Sequence, residues 1–447
     1  FKKSIISYKS KNKNISLNLE NIIGDDGILY NNNLYKYRDA QYEMSKTIEN
    51  NIHNGNISII EAGTGLGKTY AYLIPFILEA KKKNLPFIVS TYTKNLQEQL
   101  FHKDIKNIID LLDIDQIAII LKGRGNYICL NRLDALENNS NELINNFECH
   151  DLAAVIMWSY YTKSGDIDEC GSFSIERNSR LWNLLKSDVK FCSKNCFSSS
   201  KCFYTILVNS IDEANLIVVN HSVFALDAIE KRNLLPLENY FVIDEAHDFF
   251  KATKKILTSE FDKSFFNNYL SDISSLIKSL NAKSEQINHF SNMINLTEDQ
   301  VDSFFNSYLE SKNLDNHKLS NYPSIESFKD IEIEFQDCNP TLINLADNLK
   351  EMVNKIELID ETCVDFLLIK NSGLLDMLIQ FSDAIRIFLK CIKSNDHISW
   401  MKYHQQSNYT SINYLLKDMG KIISMDCFGS LNIGAFCSAT ISVDNNF

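Results

Sequence analysis

Short apolar runs alternate with polar, helix-patterned stretches along the first quarter of this chain. Ile57, Ile59 and Ile60 predict a short buried strand, FIVSTYT (87–93) a second and IAIILKG (117–123) a third. YRDAQYEMSKTI (37–48), KTYAYLIPF (68–76) and KNLQEQLFHKDI (94–105) carry helical spacing around them. Such alternation predicts a parallel α/β sheet. The rhythm stops at Gly123, and from there to about Asn209 the chain is irregular and cysteine-bearing. It resumes in NLIVVNH (215–221) and YFVIDEAH (240–247), whose unbroken apolar runs suit strands buried on both faces. From about Phe249 to Ser399, Leu, Ile and Phe recur at three- and four-residue spacing, a helical pattern. IGAFCSAT (433–440) predicts a last buried strand. One core with two insertions is the organisation expected.

The first strand and first helix are joined by EAGTGLGKT (61–69). A strand, a glycine-rich turn and a helix N-terminus form a phosphate cradle, because backbone N–H groups and the helix dipole both favour an anion there. Gly63, Thr64, Gly65 and Gly67 line the cradle. Lys68 is placed to reach the β- and γ-phosphates of ATP, and the Thr69 hydroxyl to sit on Mg²⁺. Ala62 holds the place of the first glycine of G-x-x-x-x-G-K-[ST]. Asp244-Glu245-Ala246-His247 follows a second apolar strand, at the edge where open α/β sheets bind ligands. Asp244 would hold Mg²⁺, Glu245 would polarise the attacking water, and His247 would relay the nucleotide state.

Composition adds bounds. The 447 residues are 45% hydrophobic and 23% charged, a globular balance. No apolar run approaches the roughly 18–20 residues of a membrane span, and the lysine-rich start has no signal-peptide core. Eleven cysteines without such a signal suggest a reducing compartment and a metal site. The net charge of −12 argues against nucleic acid only on average. Between Arg177 and Cys202, six basic residues face one acid, with Trp182, Phe191 and Phe197 among them. That suits a single-strand groove, although a solvated basic face is the simpler reading. Cys192, Cys196 and Cys202 form C-x₃-C-x₅-C, with Cys129 63 residues before them. Four such thiols suit a 4Fe–4S cluster; zinc is the alternative, though its sites usually use paired knuckles. Cys149 and Cys170 are rivals read as free thiols, and the remaining cysteines as small apolar residues.

The chain resembles the DinG branch of the XPD/DinG iron–sulfur superfamily 2 helicases. YRDAQYEMS (37–45), EAGTGLGKT (61–69), STYTKNLQEQL (90–100), KGRGNYICLNR (122–132), VVNHSVFALD (218–227), VIDEAH (242–247), WMKYH (400–404) and CSATIS (437–442) occur in the family's order. The resemblance implies adenine sensing by Arg38 and Gln41, and DNA-backbone contacts from Thr91, Thr93 and Gln97. It aligns Asn220 and His221 with the segment before the DEAH strand. It also aligns Ser438 and Thr440 with an element coupling hydrolysis to DNA movement, where Cys437 replaces the usual Thr. It implies a 4Fe–4S cluster on Cys129, Cys192, Cys196 and Cys202, a staple for a domain expected to lack a core of its own.

The fold class implied is α/β, a RecA-like parallel-sheet P-loop core with iron–sulfur and helical arch insertions and the second RecA-like lobe absent. The expected divisions are a linker or N-terminal extension (1–29), lobe 1 (30–122, 210–249 and 400–447), an iron–sulfur domain (123–209) and an arch (250–399). A helical lid without DNA contact is the plainer reading of the last. Second-lobe motifs would lie beyond Thr440, so these residues alone are expected to bind ATP weakly and hydrolyse it poorly; arginine fingers supply roughly 10³–10⁵ in rate elsewhere. The implied function is an ATP-dependent DNA helicase moving 5′→3′ on single-stranded DNA and acting on forks, displaced loops or DNA–RNA hybrids. A bacterial cytoplasmic monomer without membrane contact is expected. An upstream exonuclease domain occurs in some relatives, but none of its acidic motifs is visible. The rival is a truncated iron–sulfur single-strand-binding module without useful ATPase activity; a nuclease reading is weaker.

Overall fold

A computed structural model describes residues 4–10, 17–30, 35–138, 147–188, 199–237, 240–263, 284–311, 326–327, 396–404, 409–429 and 431–440, with isolated positions besides. In chain order the strands are β1 (Ile5–Tyr8), β2 (Ile57–Glu61), β3 (Phe87–Thr91), β4 (Gln116–Leu121), β5 (Leu216–Asn220), β6 (Tyr240–Asp244), β7 (Ser259–Asp262), β8 (Glu326–Ser327), β9 (His397–His404), β10 (Tyr409–Leu416) and β11 (Ile433–Ser438).

Seven of them form one sheet in the order β1-β4-β5-β3-β6-β11-β2. Every pairing in it is parallel except β1 against β4. The side-chain period of two splits the core between the faces. Phe87, Val89, Ala118, Ile120, Tyr240 and Val242 pack under the helices Asp39–His53 and Lys68–Lys83. Ile88, Ile119, Leu121, Phe241 and Ile243 pack under His221–Glu230 and Phe249–Leu257. The result is a three-layer α/β/α lobe whose arrangement fits a RecA-like core. No helix among the described residues is long and apolar enough to cross a membrane.

Four expectations need correction. Residues 1–29 are more than a linker, since β1 pairs with β4 and Leu19, Ile22, Ile23 and Leu29 are buried in the core. The first predicted strand is not fully buried: β2 lies at the sheet edge, leaving Ile57 and Ile59 39% and 56% exposed. The last segment does not all return to the lobe, because β9 and β10 join β7 and β8 in a separate antiparallel sheet. Leu415 and the stretch from about Met419 onward pack with the core of the main sheet. Nor is the segment 250–399 helical throughout, since it contributes β7 and β8 beside the helix Ser284–Ser311.

A fifth concerns the cysteine-bearing insertion, expected to lack a core of its own. It contains the helices Leu130–Asn138, Glu148–Ser159, Ser179–Leu185 and Phe203–Asn209. Leu133, Leu136, Leu152, Val155, Trp158, Leu181, Trp182 and Leu185 form an apolar core of its own. Trp182 is 3% exposed and donates to the Gly125 carbonyl at 2.8 Å, so it serves packing and not base stacking. Arg180 pairs with Glu148 at 2.7 Å and Lys186 reaches Asn183 Oδ1 at 2.6 Å. Lys190, Phe191, Lys194 and Phe197 lie outside the described residues, as do Cys192 and Cys196.

Candidate active site

The parallel register brings the chemistry to one edge. Ser438 aligns with Glu61 on β2, and Cys437 with Asp244 on β6. The phosphate loop, the DEAH segment and the S-A-T element therefore leave three neighbouring strands at their carboxyl ends. The Ala62 N–H donates to the Ser438 carbonyl at 2.9 Å, tying the loop's entry to β11. Gly65 and Gly67 both take positive φ (82° and 88°), open to glycine at little cost. At Gly67 a side chain is excluded twice over, since a Cβ would lie 2.3 Å from Gln41 Nε2. No side chain caps the 16-residue helix that starts at Lys68, so its first N–H groups remain for an anion.

Lys68 Nζ stands 3.5 Å from Glu245 Oε1 across the loop. Asp244 accepts a hydrogen bond from the Tyr72 hydroxyl at 3.1 Å. Burial, and then the charge of Glu245, push the Asp244 carboxyl up to about 6. Hard oxygen donors on adjacent elements, Asp244 and the Thr69 hydroxyl, fit a magnesium ion, and a cation would offset the crowding of negative charge. Glu245 itself sits at φ 53°, a left-handed conformation rare for a non-glycine residue. His247 Nδ1 lies 2.5 Å from Ser438 Oγ, linking the DEAH segment to the S-A-T element. Ser438 in turn accepts from the Thr440 N–H at 3.3 Å. Cys437 is fully buried, and its thiol is pushed up by burial and then by Asp244, so it is a neutral packing group where a threonine was expected.

Two expected roles meet a different geometry. Arg38 and Gln41 both hold the phosphate loop: Arg38 donates to the Gly65 carbonyl and Gln41 Nε2 to the Gly67 carbonyl at 2.8 Å. Among the three expected DNA contacts, only Thr93 is on the surface, where its hydroxyl caps the helix Lys94–Gln99. Thr91 is 1% exposed. Gln97 is fully buried and donates to the carbonyls of Leu121 and Val218 at 2.9 and 3.1 Å, stitching the helix to β4 and β5. Asn220 caps the helix His221–Glu230 through Val223 N at 2.8 Å. His221 is buried against Ser90 at 2.8 Å, and burial lowers it to about 4, so the imidazole is neutral.

The insertion is anchored beside this lobe by a charge cluster that sequence reading did not single out. The Lys122 side chain is 2% exposed and meets Asp166 at 2.5 Å, Glu98 at 2.8 Å and Asp168 at 3.0 Å. Burial opposes its charge, but Asp166, Glu98 and Asp168 outweigh that and hold its pKa above the ordinary lysine value. Glu98 belongs to the lobe and the two aspartates to the insertion. A lysine ending an apolar strand is the only trace of this in the sequence.

Backbone contacts tie the chain around Cys129 to other parts of the insertion. The Cys129 N–H donates to Leu185 O at 2.9 Å and Ser187 N to Tyr127 O at 2.7 Å. Ile128 N donates to Gly165 O at 2.9 Å, and Gly165 packs so tightly on Phe203 that a Cβ would sit 2.3 Å from the ring. Ser187 is thus held two residues from Cys129, and Phe203, next to Cys202, packs on Gly165, while Cys192 and Cys196 lie outside the described residues. Cys170, by contrast, packs in the insertion's own core.

Fold and site define a P-loop nucleotide-binding lobe with a DEAH segment. The chain is similar in sequence to proteins named as the helicases YoaA and DinG. It is 35% identical over 218 residues to the ATP-dependent DNA helicase YoaA of Escherichia coli (strain K12), covering 48% of this chain and 33% of that protein. It is 32% identical over 224 residues to the 3'-5' exonuclease DinG of Bacillus subtilis (strain 168), covering 50% and 24%. A solved XPD helicase gives a TM-score of 0.43 at 16% identity, covering 92% of this chain and 60% of that one. No protein-family profile matches. The matched region spans a third or less of the length of these two curated relatives.

Proposed function

We propose that this chain is the first motor lobe of an ATP-dependent DNA helicase, with an iron–sulfur domain (123–209) and an arch (within 250–399) inserted into it. The carrying observation is the meeting of Lys68 and Glu245, 3.5 Å apart, at the sheet edge where the phosphate loop and the DEAH segment converge. Lys68 neutralises the β- and γ-phosphates, Thr69 and Asp244 hold Mg²⁺, and Glu245 orients and polarises the water that attacks the γ-phosphorus. His247 passes the state of the site to Ser438 through their 2.5 Å contact. Arg38 and Gln41, already bonded to the loop, can report whether a base is stacked above it.

The partner is single-stranded DNA, with forks, displaced loops or DNA–RNA hybrids as substrates, 5′→3′ movement and a monomeric cytoplasmic enzyme; the names of the relatives support the DNA class. DNA-backbone contact falls to Thr93 and its exposed surroundings, not to Gln97. Hydrolysis of ATP by the gene's full-length product should rise on adding single-stranded DNA, and Lys68→Ala should abolish both the basal and the stimulated rate. DNA-independent hydrolysis, or an active Lys68→Ala protein, would refute the reading.

Cys129, Cys192, Cys196 and Cys202 would hold a 4Fe–4S cluster, which supplies a cross-link and no redox step in ATP hydrolysis. Anaerobically purified protein should carry about four irons, and Cys192→Ser should lose them together with the visible absorption. A colourless protein with one zinc would replace the cluster by a structural knuckle.

A further inference from the structure

Tyr72 lies three residues after Thr69, on the same face of the helix that follows the phosphate loop. Its ring is fully buried in the apolar layer beneath the sheet. A buried tyrosine needs a partner for its hydroxyl, and any carbonyl would serve packing equally well. Here the partner is Asp244 Oδ2, at 3.1 Å. The other oxygen, Oδ1, accepts the Glu245 N–H at 3.1 Å, so both carboxylate oxygens are engaged and the rotamer is fixed. The hydroxyl therefore holds one of the two oxygen ligands assigned above to the cation from the helix turn that carries the other, Thr69. Cys437, in register with Asp244 on the neighbouring strand, is fully buried.

We propose that Tyr72 is a positioning residue for the nucleotide-bound cation, setting the orientation of Asp244 and its spacing from Thr69 so that both meet one divalent ion. The inference rests on the nucleotide-binding reading above. Phenylalanine fills the same volume, so the hydroxyl contributes nothing to packing that its removal would disturb.

The test is binding of a fluorescent ATP analogue to the full chain, titrated with Mg²⁺, for the wild type, Lys68→Ala and Tyr72→Phe. A wild type that binds no analogue, or a Lys68→Ala protein that binds as well as the wild type, sinks the underlying nucleotide reading. If those controls hold, Tyr72→Phe should need about tenfold more Mg²⁺ for half-saturation, the scale of one hydrogen bond to a charged group. Its Mg²⁺-free nucleotide binding should not move, although loss of the buried hydrogen bond to Asp244 lowers the unfolding midpoint. An unchanged Mg²⁺ requirement overturns the proposal, and so does an equal loss with and without Mg²⁺, which is what a merely structural role would give. In an Asp244→Asn background, Tyr72→Phe should add nothing further. A second tenfold effect there would show that the hydroxyl acts elsewhere.

Discussion

Glu245→Gln should slow ATP turnover of the full-length product by about 10²–10⁴-fold, the usual worth of a positioned general base, while nucleotide binding survives. The substitution keeps the side chain's volume and its oxygen facing Lys68, 3.5 Å away in the native protein. It removes only the basicity that polarises water. The backbone gives the residue a fixed aim: φ of 53° holds it out of the strand direction, at a cost of order 1–3 kcal/mol for a non-glycine residue. Strain at such a position is retained where geometry matters. Steady-state hydrolysis set beside analogue binding separates the two effects. A Gln variant that turns over at the native rate would take Glu245 off the water's side and leave the base to be found elsewhere.

Lys122→Ala should destabilise the chain by about 3–5 kcal/mol, the scale of losing one partner of a buried ion pair. The lysine satisfies Asp166, Glu98 and Asp168 together, and Asp166 is itself 6% exposed. Burial already raises the Asp166 pKa against the pull of Lys122. Without the ammonium, Asp166 loses its 2.5 Å partner, while Glu98 keeps His102 and Asp168 keeps Lys94, each at 3.3 Å. Urea unfolding of the wild type and the variant measures the loss. Because Glu98 lies on the lobe and the aspartates on the insertion, limited proteolysis should also open the insertion first. A variant as stable as the wild type would mean that water replaces the ammonium without penalty.

Local chemistry was legible where spacing carries it. The glycine turn, Lys68-Thr69 and DEAH are contiguous in the chain, and the strands bearing them were visible as apolar runs. What escaped was decided by tertiary partners. Gln97 looks like a polar residue available to a ligand, yet it is buried because two strand carbonyls need its amide. Tyr72 reads as one more apolar helix position; only the fold puts Asp244 opposite its hydroxyl. Residues 1–29 are polar enough to pass for a linker, but Ile22 and Ile23 cover the helix layer and β1 closes the β4 edge. The insertion read as irregular because its helices are short and its apolar residues are spread over some fifty positions. Trp158, Leu181 and Trp182 meet only in three dimensions.

That small apolar core bears on how the protein would survive oxidation. A thiolate-bound cluster is the part of such a domain most exposed to oxidants, and where it alone holds the fold its loss is terminal. Here Leu152, Val155, Trp158 and Trp182 pack on one another, and Arg132 clasps the carbonyls of Asn183 and Lys186 at 2.6 and 2.8 Å. Were the proposed cluster stripped, a scaffold of that kind would keep its shape, and oxidative damage would be an interruption that reloading with iron and sulfide could reverse.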